Sequence, residues 1–600
     1  MKELEYPFNA EYILKKRRAI KRQLLDEKNA SFRIKKKIAV LGGSTTHDIV
    51  SVLELFLLNY GIEAVFYESQ YNSYYEDAVF SNETLDSFAP DVIYICTSNH
   101  NVDVYPCIGD SKETVDALLC KEFEKWEHIW TSLHNRFNIP IIQNNFELPS
   151  YRLLGNRDNT DYRGKVNFIN RLNLMFSDYF QKNSFIHLLD INYLSSDYGL
   201  GRWSDPFYYY MFKYALAVPA IPYLSFNVAN VIKAIFGKNK KGFVLDLDNT
   251  LWGGVIGDDG LNGISLGQET SEGQAYQDFQ RYLMQIKDLG VVLNINSKND
   301  EAVALTGLSH PDSILSKDDF IVIKANWNNK DQNFKDIADS LNLAPESLVF
   351  VDDNPAEREI VKQRFNEVSC PQVADVSNYI EIIDRSGFFE NVGLSGEDIK
   401  RNEMYRSNLQ RESEKAHFSD YGDYLDSLKM EAEIKPFEPI YFERISQLTN
   451  KSNQFNLTTL RLSENEIEKI SSDPAYITLY GKLTDKFGDN GVVSLIIGKL
   501  EDKILDLNLW LMSCRVLKRD MEKAMFEVLV QMSLDKGITT IVGHYYKTPK
   551  NSMVSDFYGQ MGFKKVSADD KGNSEWFFDV NSFCNENWNN HIKIKKYSSS

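Results

Sequence analysis

The chain has 600 residues, 43% apolar and 13% aromatic, so its length predicts three or four domains with ample cores. A net charge of −18 argues against non-specific nucleic-acid binding, and no apolar run approaches the roughly 18 residues of a membrane helix. The six cysteines (Cys96, Cys107, Cys120, Cys370, Cys514 and Cys584) form no CxxC pair, which argues against a disulfide framework or a zinc site and for the cytoplasm, and the N-terminal stretch, without an apolar core, is not expected to be a secretory signal. Residues 11–37 contain KKRRAIKR and then RIKKK. They read as a solvated amphipathic helix, with docking to an acidic partner such as a carrier protein as the alternative. From Lys37 the pattern alternates strand and helix. Short apolar strands are predicted at Lys37–Leu41, Ile62–Tyr67, Val92–Cys96, Ile139–Gln143 and Phe185–Asp190. This is the form of a doubly wound parallel sheet.

The first of these strands ends in Gly42-Gly43-Ser44-Thr45-Thr46, where ligands of such sheets bind. The stretch resembles the SGNH-hydrolase fold, which places a nucleophilic serine after strand one. Ser44 and Asn99 match the nucleophile and the oxyanion-hole asparagine. That family also has a late Asp-x-x-His, but here WSDPFY puts Tyr208 where the histidine belongs, and no histidine occurs between His187 and His310. A serine without a base is not activated. Residues 1–225 are therefore read as a degenerate SGNH-like domain that binds or scaffolds.

Phe243–Gly254, FVLDLDNTLWGG, is an apolar strand ending in Asp246 and Asp248, which alternation puts on one side. Two carboxylates at a buried strand end are costly unless they hold a cation or do chemistry. The stretch resembles motif I, DxDxT, of the haloacid dehalogenase (HAD) superfamily. The later motifs follow in order: Ser297 after the strand Val291–Asn296, Lys330 in NWNNK, and Asp352-Asp353-Asn354-Pro355 after the strand Ser347–Val351. The resemblance implies that Asp246 attacks phosphorus, Asp248 handles the proton, and Ser297 and Lys330 hold phosphoryl oxygens. Mg²⁺ would be held by Asp246, the Asp248 carbonyl, Asp352 and Asp353. The first gap holds a flap, Trp252–Gly263, and a helix, roughly Ser271–Leu289. The second has no room for a lid domain, so the site is open, which suits a large or tethered substrate. This domain is placed at 226–390 and a helical linker at 391–430.

Residues 431–600 mix strands with one strong helix. Strands are expected at Tyr476–Asp485, Gly491–Leu500, Ile504–Met512 and Thr539–Tyr545, with a turn at Phe487–Asn490 and a helix over Val516–Lys536. With Phe557-Tyr558-Gly559-Gln560-Met561-Gly562-Phe563, the pattern resembles the GNAT acyltransferase fold, implying Arg515, Asn551 and Tyr558 as cofactor-binding residues. The usual loop, R/Q-x-x-G-x-G/A, is here Arg515-Val516-Leu517-Lys518-Arg519-Asp520. Both glycines are replaced, and Asp520 would repel a pyrophosphate, which puts acetyl-CoA or another acyl-CoA in doubt as a cofactor. Cys514 reads either as a reactive thiol at a helix N-terminus beside Arg515 or as a small buried residue. The amide-rich stretch Asn450–Asn456 reads as lining an acyl site, with a turn as the alternative.

The order of these pieces resembles the FkbH-like family, with matching stretches ISQLTNKSNQFNLTT (Ile445–Thr459), KFGDNGVV (Lys486–Val493) and SCRVLKRDME (Ser513–Glu522). The resemblance implies a cytoplasmic three-domain α/β enzyme. It would take a glyceryl group from 1,3-bisphosphoglycerate, dephosphorylate it and load it onto an acyl carrier protein, and Cys514, if it is the reactive thiol, would carry the acyl group on the way. The alternative is a phosphatase and acyltransferase acting on a sugar phosphate in surface-polysaccharide synthesis. A non-catalytic scaffold is a third reading, against which the full set of HAD motifs counts.

Overall fold

The computed structural model describes residues 1–26, 33–452, 454–548, 551–583, 589 and 591–595, with the side chains of Glu397, Lys451 and Cys514 outside that description. The chain divides into two compact units, Met1–Lys238 with Glu390–Gly393, and Asn239–Phe389 with Leu394–Ser600.

The first unit is built on five parallel strands: β1 (Ile34–Gly42), β2 (Ile62–Glu68), β3 (Val92–Cys96), β4 (Ile141–Asn144) and β5 (Ile186–Leu189), in the order β2-β1-β3-β4-β5. Alternation divides β1 between two cores. Ile38 and Val40 pack on one face with Phe56 and Ile232, and Ala39 and Leu41 pack on the other with Trp126 and Phe176. The basic helix Ala10–Asp26 buries Ile13, Ile20 and Leu24 and pairs Arg17 with Asp48 and Lys21 with Glu54, both at 2.6 Å. It is amphipathic as expected, with its apolar stripe in the core. Among the described residues, Val218–Ile235 is the one stretch apolar and long enough to cross a membrane, and 72% of it is buried in this core. The expected boundary at 225/226 falls inside the helix Ile221–Ile235, whose apolar faces cannot be divided. The unit instead runs on to Lys238.

The second unit begins with four parallel strands: β6 (Gly242–Leu245), β7 (Val292–Ser297), β8 (Phe320–Ala325) and β9 (Leu348–Val351), in the order β8-β7-β6-β9. β6 is central and buried on both sides, Phe243 and Leu245 in one core and Val244 in the other. The helix Ser271–Asp288 lies where expected, its first turn capped by the Thr270 side chain. A linker helix, Arg401–Lys415, leads to the rest: β10 (Met430–Lys435), β11 (Phe455–Asn456), β12 (Tyr476–Asp485), β13 (Gly488–Glu501), β14 (Ile504–Met512), β15 (Thr540–Tyr545), β16 (Lys564–Ala568), β17 (Ser574–Asp579) and β18 (Ile592–Ile594). They form one mixed sheet, antiparallel except where β14 meets β15 and β10 meets β18.

Two expectations are corrected here. Asp485 pairs directly with Gly488, so the turn is Lys486-Phe487 and Gly488–Asn490 already belong to β13. The helix after β14 starts at Met521, not Val516, because Lys518 and Asp520 take left-handed backbone at φ 63° and 61°, which no α-helix accommodates.

Candidate active site

β6 delivers Asp246 and Asp248 at its carboxyl end, and the parallel neighbour β9 delivers Asp352 and Asp353 beside them. The Asp246 amide donates to the Val351 carbonyl at 2.9 Å, extending the ladder by one bond and fixing the two acidic ends together. Carboxylate oxygens of Asp246, Asp352 and Asp353 lie within 4.8 Å of one another. Lys330, the first residue of the helix Lys330–Ser340, reaches between them. Its Nζ stands 2.5 Å from an oxygen of Asp246 and 2.5 Å from one of Asp352. Asn296 of β7 ties the start of that helix to the sheet by donating to the Lys330 carbonyl at 2.9 Å. Ser297, almost fully buried, ends β7.

Three carboxylates and one ammonium leave this cluster net negative, with Asp246, Asp352 and Lys330 buried and Asp353 half-buried. Burial pushes the Asp352 carboxyl up to about 6, with Asp246 adding to the rise, and burial likewise raises Asp353. Burial opposes the Lys330 charge, but Asp246 and Asp352 outweigh it and hold its pKa above the usual lysine range. An all-oxygen, carboxylate-rich donor set is the chemistry of a hard divalent cation, and these residues fit Mg²⁺.

The Asp248 carboxylate is not part of this cluster. It accepts hydrogen bonds from the Trp252 indole at 2.8 Å, the Ile256 amide at 3.0 Å and Asn299 Nδ2 at 3.0 Å. Burial raises its pKa. Trp252 and Ile256 of the flap are thus tied to the Asp248 carboxylate. Sequence reasoning missed Trp252 and Asn299. Both lie within motifs it had identified, and only the fold reveals that they converge on one carboxylate.

The other expected residues lie elsewhere. The Cys514 side chain is outside the described residues. Its backbone sits in a single turn, Cys514–Val516, ahead of the long helix, which starts at Met521. The Arg515 guanidinium meets the Met404 sulfur of the linker helix. Asn551 is fully buried with its amide engaged at both ends. The oxygen accepts from the Thr548 amide at 2.7 Å and the Tyr545 hydroxyl at 3.2 Å, and the nitrogen donates to the Asn456 and Tyr546 carbonyls at 2.9 Å each. Both ends of its side-chain amide are thus bonded within the chain. Tyr558 packs in the core between Trp510 and Phe563, and burial raises its hydroxyl pKa far above normal. Asn450 and Asn456 spend their amides on backbone carbonyls, which is the turn reading of that stretch. Asn453 lies outside the described residues.

In the first unit Ser44 is buried after β1, and the segment bearing Tyr208 docks beside it. Thr45 donates from its hydroxyl to the Phe212 carbonyl at 2.7 Å and from its amide to the Lys213 carbonyl at 3.0 Å. The Asn99 amide N–H donates to Glu147 at 3.2 Å, and burial raises that carboxyl to about 7.

Residues 37–233 match the family described as FkbH, N-terminal domain. A solved structure of the N-terminal part of the protein BF1531 from Bacteroides fragilis, containing a phosphatase domain complexed with Mg, matches at 26% identity and a TM-score of 0.57. The match covers 63% of this chain and 99% of that one. The ribosomal-protein-S18-alanine N-acetyltransferase from Escherichia coli matches at 13% identity and a TM-score of 0.20, over 26% of this chain and 97% of that one. A GNAT-family acetyltransferase from Streptococcus pneumoniae matches at 16% and 0.21, over 25% and 99%. No curated protein matches the chain.

Proposed function

We propose that the chain is a Mg²⁺-dependent HAD phosphatase with an acyltransferase domain, a reading supported by the match of residues 37–233 to the FkbH N-terminal family and by the likeness to a phosphatase-domain structure complexed with Mg. The observation that carries this reading is the Lys330 ammonium set between Asp246 and Asp352, with Asp353 beside them.

Mg²⁺ held by Asp246, Asp352, Asp353 and the Asp248 carbonyl would neutralise phosphoryl oxygens. Asp246 attacks phosphorus of a phosphate ester and Asp248 protonates the departing alkoxide oxygen. Asp248 then takes a proton from the water that hydrolyses the aspartyl phosphate. The raised pKa of Asp248 suits a group that must both give and take that proton. Ser297 and Lys330 hold the phosphoryl oxygens.

The finer reading takes 1,3-bisphosphoglycerate as substrate. Its phosphate ester is hydrolysed at this site. The carbonyl of its acyl phosphate is attacked by the Cys514 thiolate, which expels phosphate and leaves a glyceryl thioester. A carrier-protein phosphopantetheine thiol then takes the acyl group by thioester exchange. Support for this comes from the match of residues 37–233 to the FkbH N-terminal family.

The experiment is phosphate release with Mg²⁺, followed by intact mass of wild type and Cys514→Ala after exposure to 1,3-bisphosphoglycerate. Asp246→Asn is expected to lose release by at least about 10³-fold, and unchanged release in that variant would refute the nucleophile assignment. A glyceryl adduct on wild type alone establishes capture at Cys514. Release without an adduct points to the sugar-phosphate alternative.

A further inference from the structure

Six of the described tryptophans, at positions 126, 130, 203, 252, 510 and 576, are each 5% exposed or less, whereas Trp327 is 72% exposed. An indole so far in water is the informative exception to the rule that large apolar rings are buried. Its place in the fold suggests what it is for. All four strands β8-β7-β6-β9 are parallel, so the loop that follows β8 lies at the same carboxyl edge as Asp246 and Asp352. Trp327 is in that loop, two residues after β8 and three before Lys330.

The loop is braced. The Asn326 amide donates to the Ser297 carbonyl at 3.1 Å. The Asn326 side-chain oxygen accepts from the Asn328 amide at 3.0 Å and from Asn333 Nδ2 at 2.9 Å. Trp327 therefore projects from a backbone pinned on one side to Ser297 and on the other to the helix of Lys330. These are the two residues assigned to the phosphoryl group.

We propose that Trp327 is a specificity-determining residue whose indole covers the carbon skeleton of the substrate, standing in for a lid on an uncapped site. The inference rests on the phosphatase reading above. The class it selects is a phosphorylated compound whose skeleton extends past the phosphoryl group and offers C–H surface to the ring. Compact phosphates fall outside that class. Stacking of this kind is realised in the bound ground state as well as in the transition state, so it acts on KM.

The test is steady-state phosphate release by full-length wild type, Trp327→Ala and Trp327→Phe with Mg²⁺. The probes are glucose 1-phosphate and 1,3-bisphosphoglycerate as extended substrates and acetyl phosphate as a compact one. For Trp327→Ala, KM for the extended probes should rise about tenfold, the order of one lost aromatic contact, with kcat within about twofold. The rise should be smaller for acetyl phosphate, and Trp327→Phe should restore most of the loss. An equal loss on all three probes, or a loss in kcat, would show that the loop only braces Ser297 and Lys330 and would overturn the proposal. So would identical kinetics in all three proteins. Absence of turnover by wild type on every probe is the separate result that removes the phosphatase reading itself.

Discussion

Asp352 shows how one residue can link metal binding to pH. Its carboxyl is fully buried and is held at about 6, above its usual 3.8, by burial first and by Asp246 second. The folded state therefore keeps this proton more tightly than the unfolded chain does. Stability from this group is complete below about pH 4, is lost as pH rises toward about 6, and changes no further above that. Cation binding runs the other way, because it needs the carboxylate and releases the proton. Mg²⁺ affinity measured by titration calorimetry should rise by about fivefold between pH 5 and 6 and level off above 7. An affinity flat from pH 5 to 7 would remove Asp352 from the ligand set. The identities of Asp246, Lys330 and Asp352 were legible in the sequence, because each follows or begins a strongly patterned element. The role of Asn299 was not, since its contact with Asp248 joins positions 51 residues apart.

At the scale of elements, the linker helix Arg401–Lys415 is the decisive feature of the second unit. Arg411 is buried and forks onto Asp485 of β12, donating at 2.8 Å and 2.6 Å. Arg519 lies 3.4 Å from the same carboxylate and donates to Asn408 at 2.8 Å. Tyr421, just beyond the helix, donates to the Lys518 carbonyl. The loop Arg515–Asp520 is thus held by the chain's own linker through the Lys518 carbonyl and the Arg519 guanidinium. Titration with acetyl-CoA is expected to give no binding heat, in keeping with the replaced glycines. Asp485→Ala would leave two buried guanidiniums without their shared carboxylate. We expect it to lower stability by about 3–5 kcal/mol, read by denaturant unfolding. A change under 1 kcal/mol would mean that the arginines find water instead. Sequence alone placed β12, β14 and β15 to within a residue, because apolar alternation bounded by turn residues is a strong local signal. It misplaced the start of the helix at Met521, since Val516 and Leu517 continue the apolar rhythm and nothing in Lys518 or Asp520 announces left-handed backbone. It also passed over β8, whose short run Phe320–Ala325 carries Lys324.

For the whole molecule, the consequence of having two units is that a ligand of one should not stabilise the other. The first unit closes its own cores around β1–β5, and its buried titrating groups, such as Glu147, belong to it alone. The second holds Asp246, Asp352 and Asp353 at the junction of β6 and β9, two strands whose pairing runs through its central sheet. Mg²⁺ bound there stabilises that unit by mass action, about 2.7 kcal/mol at a hundredfold excess over its dissociation constant, because the unfolded chain has no preformed site. Calorimetry of the full chain should therefore resolve two transitions, with Mg²⁺ raising only one. Asp246→Asn should shrink that shift, since one of three clustered carboxylates is neutralised, while leaving the other transition in place. Limited proteolysis sampled along the melt identifies which unit opens, from whether cleavage first falls before or after Lys238. A single transition that Mg²⁺ moves as a whole would mean that the two cores unfold as one cooperative body. Two transitions that both rise would place a second cation site in the first unit, where no group of three described histidine, cysteine or acidic side chains has the spacing to hold one.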